Sequence, residues 1–119
     1  KLHLAFVEWN EVDQAALQLD PVIQMVDKHP YLSEVAYRQI NRVANASKAY
    51  WKPEAILDLV DHLKGRKLFA AQYLGLSLLK IAGTALRWNQ ACAERLRAYR
   101  NHEHEAIRMT ALDMWTVLE

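Results

Sequence analysis

At 119 residues and 13.8 kDa, with 52% hydrophobic and 24% charged side chains, the chain is long enough to bury one core and too apolar to stay disordered. Fifteen Lys and Arg against fourteen Asp and Glu leave a formal charge of +1, which excludes a strongly basic arm or an acidic solvating tail as the organising feature. Three Gly and three Pro are too few to punctuate a sandwich or barrel, so the composition points to an all-α domain.

Along the chain, Asn10 before Glu11 and Asp13 predicts a helix start, with the Asn10 side chain as cap and a short helix over 11–19. Leu2, Leu4, Phe6 and Trp9 are expected to cover the N-terminal end of the domain. Asp20-Pro21 repeats the start signal, predicting a second helix over 21–29 that ends at His29-Pro30. Pro30 opens the next, over 30–45, with Leu32, Val35, Ala36, Ile40, Val43 and Ala44 at helical spacing and Arg38 and Arg42 outside. Pro53 opens a helix over 53–64 with Ile56, Leu57, Leu59, Val60 and Leu63 as its buried stripe and Gly65 as its terminator. The segment 66–82 is apolar nearly all round, so neighbours must cover it on more than one side. Gly83-Thr84 reads as its break, followed by helices over 88–100 and 103–118.

Short connections make these helices antiparallel hairpins: 21–29 with 30–45, 53–64 with 66–82, and 88–100 with 103–118. Aligning the second helix of each pair puts Val35, Phe69 and Ile107 in one column and Ile40, Leu74 and Leu112 in another, at offsets of 34 and 38 residues. Helix pairs recurring at that period predict one domain: a short right-handed α-solenoid with residues 1–19 as cap, the alternative being a six- or seven-helix bundle. The stretch from His104 to Trp115 resembles the second helix of a HEAT repeat, with Ile107-Arg108 and Ala111-Leu112 filling its apolar-Arg and small-apolar positions. That resemblance implies a structural Arg108 that links repeats. The chain opens without an initiator Met and is expected to be part of a longer one.

Catalytic signatures are missing from the sequence, and an enzyme, a cofactor or a metal is not expected. His102 and His104 lie two positions apart, so on a helix they diverge by about 200°, and neither HExxH nor ExxH occurs. Cys92 sits between alanines on a face expected to pack inward, where a thiol is inert. A lone cysteine fits a reducing compartment, and the most apolar run, 74–83, falls short of the roughly 20 residues that cross a bilayer, so a cytoplasmic location is expected.

Charge is uneven, with six basic and eight acidic residues over 1–59 and nine and six over 60–119. The expected function is a non-catalytic scaffold that binds another protein. Its docking face is expected at Arg38, Gln39 and Arg42, on the helix that lines the concave side in HEAT-like proteins, with Tyr50 and Trp51 as aromatic anchors. The alternative is a nucleic-acid-binding domain whose basic ridge comprises Lys64, Arg66, Lys67, Arg95, Arg97 and Arg100.

Overall fold

The computed structural model describes residues 7–114, apart from the side chain of Lys48. Leu2, Leu4, Phe6, Trp115 and Leu118, which the sequence assigns to the core, lie outside the described residues. All regular structure among the described residues is helical: α1 (Val12–Lys28), α2 (Ser33–Ala46), α3 (Pro53–Lys64), α4 (Phe69–Ala85), α5 (Gln90–Arg100) and α6 (Glu105–Asp113), with single 3-10 turns at Pro30–Leu32 and Lys48–Tyr50. None of these helices is long and apolar enough to cross a membrane.

α4 is the centre of the molecule. It packs against every other α-helix, which satisfies its apolar surface: Ala70, Ala71, Leu74, Leu76, Leu78, Leu79 and Ala82 are all buried. α1 packs on α3, α2 on α4, and α5 on α6, and the shortest dimension of the molecule, 21 Å, is that of two layers of helices about 10 Å thick. Tyr37 near the start of α2 donates a hydrogen bond to the carbonyl of Ala70 near the start of α4, and Phe69 meets His104 at the start of α6. These three helices therefore begin at the same end of the molecule.

Several local expectations are corrected. Residues 11–19 and 21–29 are one helix, not two, because Pro21 is accommodated inside α1. Proline removes the bond to the Leu17 carbonyl, and both Leu17 and Pro21 lie on the exposed side of α1, where water can take the place of the donor. Asp20 does not cap a new helix; its carboxylate binds Arg66 at 2.6 Å and ties α1 to the α3–α4 turn. Asn10 does not cap α1 either, since its side chain donates to the Tyr50 carbonyl at 2.9 Å and accepts from the Lys52 N–H at 2.6 Å, clipping the N-terminal segment to the α2–α3 connection.

The two columns read from the sequence are not uniform in burial. Val35 is 62% exposed, Phe69 39% and Leu112 50%, whereas Ala36, Ala70 and Ile107 are buried, as are Ile40, Leu74 and Ala111. The buried residues of α2, α4 and α6 are thus spaced four apart, not five. Four residues return to nearly the same helix face, while five rotate by about 140° and cannot both point inward. Gly65 ends α3 as expected, but Gly83 does not end α4: the helix runs on to Ala85. α6 stops at Asp113, earlier than expected.

Candidate functional site: a groove between α2, α4 and α6

α2, α4 and α6 enclose a groove of about 1360 Å³ that also reaches the α1–α2 junction at Val26, Asp27 and Pro30. α2 contributes Ser33, Glu34, Tyr37, Arg38, Asn41 and Asn45, and α6 contributes Thr110 and Asp113, with Met114 just beyond it. The floor is α4, which presents Phe69, Tyr73, Ser77, Lys80 and Thr84. Those five recur at intervals of four, four, three and four residues, so they form one stripe along a helix whose other residues, Gln72 apart, are apolar.

Four rings form a ladder at the end where the three helices begin. Tyr37 stacks on Tyr73 with centroids 5.5 Å apart and planes 13° from parallel. Phe69 lies 5.8 Å from Tyr73, and His104 lies 4.6 Å from Phe69. The Tyr37 hydroxyl donates to the Ala70 carbonyl at 2.7 Å, and burial, then Tyr73 and Asp27, push its pKa well above the usual phenol range, so it stays protonated and keeps that bond. On the rim Arg38 pairs with Glu34 at 2.9 Å, while Asp27, Lys80 and Asp113 have no ion pair among the described residues.

Of the residues expected to bind a protein, Arg38 alone lines the groove. At about 100° per residue, Arg42 falls toward the edge of the lining face of α2 and Gln39 on its far side. Tyr50 is 79% exposed but lies away from the groove, and the Trp51 ring packs edge-on against Trp9 at 6.5 Å, closing the joint between the N-terminal segment and the α2–α3 connection. Tyr37, Tyr73 and Phe69 were assigned to packing or left unassigned by the sequence. The signal that finds Phe69 and Tyr73 is the stripe on α4, a line of aromatic and polar residues on a mostly apolar helix, and no comparable signal marks Tyr37 on α2.

The basic ridge is largely spent on holding the fold. Arg66 binds Asp20, and Arg95 makes a two-pronged contact with Asp61 at 2.8 and 3.0 Å, joining α5 to α3. Lys64 sits 5.3 Å above the centre of the Tyr99 ring. Arg100 donates to the carbonyls of Ala111 at 3.1 Å and Met114 at 2.9 Å, satisfying backbone groups at the end of α6. Lys67 and Arg97 are the exposed members of the set. Arg100→Ala is expected to lower unfolding stability by about 1–2 kcal/mol, against less than about 0.5 for Arg97→Ala. Urea midpoints at unchanged slope measure both; equal effects would show that the carbonyl contacts contribute nothing.

The contact that Arg108 makes lies within a hairpin: its guanidinium donates to the His102 carbonyl at 3.0 Å and braces the α5–α6 turn. Cys92 is buried, and burial raises its thiol pKa, which keeps it protonated. Among the described residues no group of three or more His, Cys, Asp or Glu gathers where a metal ion could be held. No protein family, curated protein or solved structure matches the chain.

Proposed function

We propose that the chain is a non-catalytic helical-repeat module, HEAT-like in its arrangement of helix pairs, that holds a segment of another protein in the groove floored by α4. The observation that carries this is the groove itself: α2, α4 and α6, the second helices of the three pairs, all line it, and an aromatic ladder stands at one end. At about 1360 Å³ it exceeds the 300–1,000 Å³ usual for small-molecule pockets, a size that suits a stretch of polypeptide. Half-exposed aromatic rings within a polar rim are the arrangement of a protein-binding hot spot. The four-residue columns Ala36–Ala70–Ile107 and Ile40–Leu74–Ala111 support equivalent helices in the three pairs. Nucleic acid as partner has less support, because Arg66, Arg95 and Arg100 are bound within the fold.

Selection from a displayed random-peptide library tests the proposal. Enriched peptides are expected to bind the purified chain with micromolar affinity and to lose at least about ten-fold, or 1.4 kcal/mol, against Ser77→Trp, which fills the floor. Arg38→Glu combined with Arg42→Glu is expected to weaken the same peptides while thermal unfolding stays nearly constant, since the Arg38–Glu34 pair is exposed. No enrichment, or peptides indifferent to Ser77→Trp, would remove the groove as the docking site.

A further inference from the structure

The α5–α6 turn carries the two histidines that stand out in the sequence, and docking alone gives them no role. Each uses Nδ1 to accept a backbone N–H. His102 Nδ1 accepts from the His104 amide at 2.9 Å, and His104 Nδ1 accepts from the Ala106 amide at 3.2 Å. The second contact is the N-cap of α6. That position ordinarily belongs to Ser, Thr, Asp or Asn, whose oxygens go on accepting in mild acid. An imidazole nitrogen accepts only while it carries no proton. The His104 ring also rests against Phe69 in the groove floor, so the same side chain caps α6 and touches the docking surface.

We propose that His102 and His104 form an acid-sensitive latch, in which protonation releases the first turn of α6 from its caps and from Phe69 and so loosens the α6 wall of the groove. As a means of controlling docking, this rests on the function proposed above. Beside His102, Lys64 and Arg108 favour release and Glu103 opposes it. His102 meets Lys64 from α3, Tyr99 from α5 with ring centroids 6.4 Å apart, Glu103 and His104 in the turn, and Arg108 from α6. Burial first, then Lys64, hold its pKa below the ordinary value, with Glu103 opposing. His104 meets Phe69 from α4 and is flanked in the chain by Glu103 and Glu105. The unfolded chain takes up the His102 proton around 6.5, and the folded turn takes it up less readily. The contribution of this turn to stability is therefore complete above that pH and falls as pH drops toward the lowered folded value.

Amide hydrogen exchange, resolved by residue in NMR spectra of the full chain at pH 7.5 and 5.5 and corrected for intrinsic rates, tests the latch without any partner. The docking function can therefore fail while the latch stands, and the reverse. Protection at His104, Ala106 and Arg108 is expected to fall about five-fold on acidification while Leu74 and Leu78 in α4 keep theirs, and the Phe69 ring resonances should titrate with the same midpoint. His102→Asn combined with His104→Asp, whose oxygens still accept at pH 5.5, should hold protection constant, and His104→Ser alone should retain most of it. Equal protection of the α6 amides at the two pH values, or an undiminished acid loss in these variants, would overturn the proposal.

Discussion

Gly83→Ala is expected to lower the unfolding free energy by about 2–4 kcal/mol, although alanine is the better helix former by about 1 kcal/mol. A β-carbon at Gly83 would lie 2.6 Å from Cε2, Cζ2 and Cη2 of Trp88. That ring is buried and has little freedom to swing aside, because the backbone that carries it is fixed. Arg87 and Trp88 both have left-handed backbone, with φ of 57° and 50°. The Trp88 N–H reaches back to the Gly83 carbonyl at 2.7 Å, and the Arg87 N–H to that of Thr84 at 3.4 Å. These two bonds are the Schellman closure of α4, and in such closures the residue after the turn commonly packs on the last helical turn. Here the packing partner is a glycine, so the indole lies flat where a side chain would otherwise be. Overpacking at this point must either expel the indole, forfeiting much of the 3–5 kcal/mol typical of losing a buried Trp, or distort the closure. Thermal unfolding should fall by about 10 °C for a chain of this size. The decisive comparison is the same substitution in a Trp88→Ala background, where the clash is gone and Gly83→Ala should turn stabilising. A loss of similar size in both backgrounds would show that the indole is not the cause.

This same closure explains why the end of α4 is not legible in the sequence. A glycine near the end of an apolar run reads as a stop, because glycine adopts left-handed backbone without strain. The stop is instead made by Leu86, Arg87 and Trp88, and the glycine is there for a close approach that only the fold reveals. The other misplaced boundary, at Pro21, has a similar origin. Local chemistry offered a cap and a proline, but burial of Ala15, Leu19, Val22, Ile23 and Val26 along one continuous stripe outweighs the single missing hydrogen bond.

What is legible is whatever depends on periodicity. The all-helical class follows from the spacing of apolar residues, α3 begins and ends where Pro53 and Gly65 place it, and the all-round apolar character of α4 requires the central position it holds. The groove was half legible. Arg38 on α2 lines it, whereas Tyr50 and Trp51, grouped with Arg38 in the sequence, do not, because aromatic residues beside a loop look alike in sequence whether they anchor a partner or seal a joint. Distinguishing them requires knowing that Trp9 stands opposite Trp51, a contact 42 residues away in the chain. The pairing of the basic residues is not legible for a related reason: Asp20 and Asp61 neutralise Arg66 and Arg95 across 46 and 34 residues, beyond the reach of any local charge count.

Gly75→Ala and Tyr99→Phe should have effects of opposite sign that couple strongly. Gly75 lets α4 approach α3 and α5 closely: an added β-carbon would stand 2.7 Å from the Tyr99 hydroxyl and 3.3 Å from both Leu63 Cβ and the Val60 carbonyl oxygen. Since α3 contributes backbone to that contact, the helices must separate, and a net loss of about 2–3 kcal/mol is expected. Tyr99 itself is fully buried in α5, and its hydroxyl finds no hydrogen-bond partner among the described residues. Burial raises its pKa, so it stays protonated and uncharged. An unmatched buried hydroxyl costs about 1–3 kcal/mol, so Tyr99→Phe keeps the ring beneath Lys64 and should raise stability by about 1 kcal/mol. The same oxygen is the nearest obstacle to a β-carbon at Gly75. Its removal should reduce the cost of Gly75→Ala by about half, leaving the contacts with Leu63 and Val60 as the remainder. A double-mutant cycle in urea should then give a coupling energy of about 1 kcal/mol or more, well above the 0.3–0.5 kcal/mol scatter of independent sites. Additive effects would place the cost of Gly75→Ala on the α3 backbone alone, and a destabilising Tyr99→Phe would mean that the hydroxyl contributes a bond to the native state.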